Sequence, residues 1–118
     1  MRRHSYKNLE VYKRSLALSV KILSFIDEVR PYRLAEDLMS SSISVPSNIA
    51  EGSQRGSDKE FARFLEYSAG SSAEQATQLT ALLLANKLKH IPLQEYINEA
   101  EEINRMLHGL IDSLGKSN

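Results

Sequence analysis

Cysteine and tryptophan are absent from this chain of 118 residues, and proline, glycine and histidine are scarce at three, five and three. Without cysteine there is no disulfide framework and no thiolate metal site, which fits a reducing compartment and leads us to expect a cytoplasmic protein. The three histidines are preceded three residues earlier by Met1, Lys87 and Arg105. None therefore forms the Glu-x-x-His pair of a di-iron bundle, and no clustered set suits zinc. No metal and no cofactor are expected. The longest apolar patch, Ala81-Leu-Leu-Leu-Ala85, is far short of the roughly 20 residues of a membrane span. The basic start, Met1-Arg-Arg-His-Ser5, is not followed by a continuous apolar stretch, so no signal peptide or membrane contact is expected.

Catalytic motifs are missing as well. Gly52-Ser-Gln-Arg-Gly56 lacks the preceding strand and the Lys-Ser/Thr of a phosphate-binding loop. It is either a plain turn or, with Arg55, a source of N–H groups for an anion at the start of the next helix. The serine run 40–42 with Ser44 has no histidine near it in sequence, and small hydroxyls favour close helix packing. Glu51 has no evident carboxylate partner. No catalytic residue and no small-molecule substrate are expected.

What is present is helical period. Length fits one domain over 1–118, with 1–7 and 115–118 fraying. The first helix starts at Asn8 as N-cap and ends before Pro31. At about 100° per residue, Leu9, Tyr12, Leu16, Val20, Leu23 and Ile26 form one apolar stripe. Val11, Leu18, Ile22, Phe25 and Val29 form a second, displaced by roughly 130°. One stripe is enough to join a bundle. The second is either buried by a central position in its own bundle or covered by another copy.

The second helix spans about 32–50, with Leu34, Leu38, Ile43, Val45 and Ile49 as apolar contacts. Pro46 lacks an N–H and biases Val45 away from the helical region, so the helix is expected to kink or restart there with Ser44 as a cap. Gly52 and Gly56 are expected at positive φ, ending it. Asn48, Glu51 and Arg55 then satisfy backbone groups freed at Pro46 and Gly52. Ser57-Asp-Lys-Glu60 reads as a reciprocal capping box for a third helix running to about residue 88. Its seam is Phe61, Phe64, Leu65, Ser68, Ser72, Ala76, Leu79, Leu82, Leu83 and Asn86. Gly70, in mid-helix at a cost of about 1 kcal/mol, is expected where another backbone comes close. The fourth helix begins around Pro92 and repeats Tyr96, Ala100, Ile103, Leu107, Leu110 and Leu114 to Gly115. The fold class is all-α, an antiparallel up-down-up-down four-helix bundle with its second helix kinked near Pro46.

Net charge is zero, yet residues 1–33 carry +5 and the rest −5. Overall neutrality argues against a general nucleic-acid binder. Lys7, Arg14 and Lys21 nevertheless recur every seven residues on the first helix, behind Arg2 and Arg3. Such a stripe suits phosphate contact, and equally the snorkelling rim of an interface.

Ser44-Val-Pro-Ser-Asn-Ile-Ala-Glu-Gly52, with Arg55, Glu60-Phe61, Arg63-Phe64-Leu65 and Gly70-Ser71-x-x-Glu74, resembles the bacterial 23S rRNA intervening-sequence proteins. It is also similar to the accessory variability proteins of diversity-generating retroelements. The resemblance extends loosely from Leu9 to Leu114. It implies an antiparallel four-helix bundle, a homo-oligomer that is often a ring-like pentamer, and RNA or a ribonucleoprotein as partner. It favours Val11, Leu18, Ile22, Phe25 and Val29 as the subunit interface, while the charge pattern itself offers Arg2, Arg3, Lys7, Arg14, Lys21 and Arg55 as the nucleic-acid or anion surface. One departure stands out: relatives carry arginines in the second helix, and this chain has no Lys or Arg between Leu34 and Gln54. The expected function is a non-enzymatic homo-oligomeric scaffold or adaptor contacting RNA. The alternative is a self-assembling or protein-binding module with no nucleic-acid contact.

Overall fold

A computed structural model describes residues 4–116. Four helices make up most of it: α1 (Glu10–Phe25), α2 (Tyr32–Ser53), α3 (Asp58–Ala85) and α4 (Leu93–Lys116), with single 3₁₀ turns at Tyr6–Asn8 and Ile26–Glu28. The rod measures 48 × 21 × 19 Å. The 28 residues of α3 set its length, at a rise of about 1.5 Å each.

Local chemistry explains the boundaries. Ser57 caps α3, its hydroxyl accepting from the Glu60 N–H at 3.2 Å. The reciprocal arm of the expected capping box is replaced by an ion pair, with Glu60 turned to Arg63 at 3.0 Å. Asn86, left-handed at φ 58°, ends α3 three residues earlier than read from sequence. Asn8 is not the cap of α1. It lies in the 3₁₀ turn and donates to Ser5 Oγ at 3.1 Å, while Leu9 holds the N-cap position. Ahead of α1, the His4 N–H bonds the Ser53 carbonyl at 2.9 Å, and its ring lies 3.0 Å from Asp58.

Each helix packs on two neighbours in the cyclic order α1–α2–α3–α4, leaving α1 diagonal to α3 and α2 diagonal to α4. The core runs along the rod axis through Leu38, Val45, Ile49, Phe61, Leu65, Leu79, Ile103 and Leu107. It also contains the five residues read as a subunit interface. Val11, Leu18, Ile22, Phe25 and Val29 are each 4% exposed or less within their own subunit, which corrects that assignment. The rotation of α1 is set by what flanks this stripe. On one side Ser15 and Ser19 are small enough for close packing against α2; on the other, Arg14 and Lys21 reach α4.

Candidate functional site

The Pro46 segment is a packing device. α2 runs through Pro46 without restarting, and Ser44 is not a cap. Proline offers no N–H to the carbonyl four residues back, that of Ser42. Ser19 of α1 supplies the missing donor, its hydroxyl 2.8 Å from that oxygen. The Ser15 carbonyl also lies within reach of the same hydroxyl, but the helix already gives it the Ser19 N–H. Ser44 instead shares a 2.8 Å hydrogen bond with Ser71 of α3, and Asn48 donates to the Ser44 carbonyl and hydroxyl at 2.9 Å. Ser68 donates to the Val45 carbonyl at 2.8 Å. The serines thus join neighbouring helices. Two buried polar atoms, Ser42 Oγ and Gln75 Oε1, have no hydrogen-bond partner among the described residues.

The glycines do not play the roles expected of them. No glycine among the described residues has positive φ. Gly52 is still helical and buried, and a Cβ there would meet Phe64 Cβ at 2.5 Å. Gly70 faces open space, with nothing within 4 Å of such an atom. The close approach expected at Gly70 occurs at Gly52.

The cationic residues are mostly engaged. Arg14 makes a two-pronged contact with Glu99 of α4, at 2.8 and 2.6 Å. Those bonds hold the Glu99 carboxyl below its ordinary range against the opposing effect of burial, and Lys21 adds to the lowering. Lys21 is exposed and sits 5.9 Å from the centre of the Tyr96 ring. Arg55 pairs with Glu51 at 2.8 Å and lies over the Phe64 ring at 4.7 Å. Lys7 is exposed. Arg2 and Arg3 lie outside the described residues. Of the residues read as a phosphate surface, Arg14 and Lys21 therefore lie against α4. Among the described residues no three His, Asp or Glu side chains come together as a metal group, and no helix is long and apolar enough to cross a membrane.

The exposed feature is apolar. Leu16, Val20 and Leu23 of α1, from the stripe read as core, are 37%, 58% and 57% exposed, and Ile43 of α2 is 46% exposed. The Ser19–Ser42 contact places α1 and α2 side by side at this height, so the four form one ridge on the outer α1–α2 flank. Ile43 escaped the sequence reading as a surface residue because it was counted among the apolar contacts of its helix. Its signal was present: it lies about 100° from Ser42 and farther still from Val45 and Ile49 on the helical wheel. On the α3–α4 flank lies a groove of about 430 Å³, lined by side chains including Ala73, Ala76, Thr77, Thr80, Ala100 and Glu101.

A family model described as 23S rRNA-intervening sequence protein matches residues 7–109. No curated protein matches the chain. Among solved structures, the chain is similar to a Bacteroides thetaiotaomicron protein with unknown function from the S23 ribosomal protein family. Identity is 23%, with 86% of this chain and 97% of the other covered, at a TM-score of 0.78. At that identity the likeness concerns the fold.

Proposed function

We propose, for a chain that belongs to the 23S rRNA-intervening sequence protein family, that it is a non-enzymatic cytoplasmic scaffold which assembles with copies of itself through the α1–α2 flank. The observation that carries this is the ridge of Leu16, Val20, Leu23 and Ile43, each left 37–58% exposed on the α1–α2 flank. Burial of a large aliphatic side chain contributes about 1.5–3 kcal/mol when complete. Covering four half-exposed ones together contributes about 3–6 kcal/mol, comparable to the lower end of the cost of association, so the rest of the interface supplies the surplus. Sedimentation at micromolar concentration tests it. The wild-type chain should be oligomeric, and Leu23→Glu should dissociate it with an unchanged helical circular dichroism spectrum. A monomeric wild type would end this reading.

RNA contact is a second reading, supported by the family's name and by Lys7 and Lys21, which remain exposed and have no ion pair among the described residues. If phosphates carry it, affinity for a 23S rRNA fragment falls steeply between about 50 and 200 mM salt, and Lys7→Glu with Lys21→Glu abolishes it. Binding indifferent to both would exclude the basic surface that Lys7 and Lys21 offer.

A further inference from the structure

We infer that the α3–α4 groove is a binding site for a small primary alkylammonium ion, its cationic head held at Glu101 and Asn104 and its aliphatic tail laid along the alanines. The site is complete within one subunit, so it stands apart from the self-association reading above. It binds its ligand and does no chemistry on it. The volume of about 430 Å³ falls within the roughly 300–1,000 Å³ of small-molecule pockets. Ala100, fully buried, forms part of the floor, and Ala76 and Ala73 rise from it along α3. Between Ser72 and Thr80 the groove follows eight residues of α3, about 12 Å at 1.5 Å per residue, which gives an extended tail room to lie.

The hydrogen-bond inventory selects the head group. The Thr77 and Thr80 hydroxyls donate to the Ala73 and Ala76 carbonyls at 2.9 and 2.7 Å, and Ser72 donates to the Ala69 carbonyl at 2.8 Å. A hydroxyl has one proton, so these three keep only lone pairs for a visitor. Asn104 turns its Nδ2 to the Ala69 carbonyl and Ser72 Oγ, at 2.9 and 3.0 Å. Its Oδ1 has no partner among the described residues. Glu101 is the one charge on the wall, and no Lys or Arg lines the groove. Arg14 and Arg105 are taken by Glu99 and Glu102 of the same helix, which leaves the Glu101 carboxylate without an ion pair among the described residues. Glu101 and Asn104 stand three residues apart on α4, neighbours on one face. A primary ammonium brings three N–H donors and is charged at neutral pH, as the lysine head group is. It therefore satisfies both oxygens at once, whereas a carboxylate would meet acceptors and a like charge. A second ammonium at the Thr80 end would find no carboxylate on the wall, so the site suits a monoamine over a diamine.

An amide chemical-shift titration of the isotope-labelled full-length chain tests it. Hexylammonium should move the amides of Ala73, Ala76, Ala100 and Glu101 saturably in the millimolar range, and hexanoate and hexanol at equal concentration should leave them in place. Pentylammonium, one methylene shorter, should bind up to about fourfold more weakly. Glu101→Gln removes the charge at an exposed position and should weaken hexylammonium about fivefold, with the helical circular dichroism spectrum unchanged. Shifts that fail to saturate or that map elsewhere would overturn the inference. So would hexanoate or hexanol acting as hexylammonium does, no loss on shortening the tail, or a Glu101→Gln chain that binds like wild type. None of these results bears on whether the chain assembles, which sedimentation reads separately.

Discussion

Gly52 and Gly70 look alike in the sequence, each a glycine inside a helix, and the structure gives them opposite tasks. At Gly52 a methyl group would lie 2.5 Å from Phe64 Cβ, 3.1 Å from Phe61 Cδ1 and 3.3 Å from the Phe61 carbonyl oxygen. Neither a Cβ nor a main-chain oxygen can rotate away, so α2 and α3 must separate. Gly52→Ala should therefore cost about 2 kcal/mol through overpacking, even though alanine is worth about 1 kcal/mol more than glycine to the helix itself. Gly70→Ala meets nothing and should gain up to about 1 kcal/mol. Urea unfolding of both variants checks the pair, and a shift of like sign would refute the assignment. Part of this was legible. Gly70 shares its helical face with Arg63, Glu66 and Glu74, a solvent face, whereas Gly52 follows Ile49 and Val45 at intervals of three and seven. A need for space says nothing about which glycine meets it; the face it occupies does.

At the scale of the element, α2 shows how a helix passes through proline. A restart capped by Ser44 is the local solution, and sequence reasoning that looks only along the helix arrives at it. The actual solution is non-local: the orphaned Ser42 carbonyl takes its donor from Ser19, 23 residues away on α1. No spacing rule connects those positions, so this part of the design was invisible before the helices were placed. It makes a quantitative prediction. Ser19→Ala should cost about 1–2 kcal/mol, because a buried carbonyl is left unpaired. In a Pro46→Ala background the backbone N–H returns and the same change should cost close to nothing. A double-mutant cycle by urea unfolding should therefore give a coupling of about 1–2 kcal/mol. Additive effects would show that Ser19 acts only as a small residue at the α1–α2 contact. The regular periods of α3 and α4, by contrast, needed no partner to be read. Most of their predicted seam positions are buried, with Asn86 an outward exception because it caps α3.

For the whole molecule, the helix count and antiparallel path followed from hydrophobic period, and the rotation of α1 did not. Two stripes of similar apolar content compete for the core, and composition alone does not rank them. What decides is lateral: serines on the α2 side, arginine and lysine on the α4 side. The same contacts take up part of the charge asymmetry, because Arg14 and Lys21 of the basic first third meet the acidic α4 inside one subunit. Arg14–Glu99 is the strongest such tie in geometry, bidentate at 2.8 and 2.6 Å. Its pH dependence follows from the Glu99 carboxyl, which Arg14 holds below the ordinary value of 4.5. A depressed folded-state value means the stabilisation is complete above the ordinary value and disappears as pH falls through the folded one. Both side chains reach solvent, so screening limits the pair to about 1 kcal/mol or less. Glu99→Gln should accordingly be less stable than wild type near pH 7. The gap should close as pH falls below the ordinary value of 4.5 and through the lower folded one, as the wild-type carboxylate takes up its proton. Parallel urea titrations of the two proteins across that range test the point. A constant gap would mean that the α1–α4 seam is held by Phe25 stacking on Tyr96 and by apolar packing alone, with no electrostatic share.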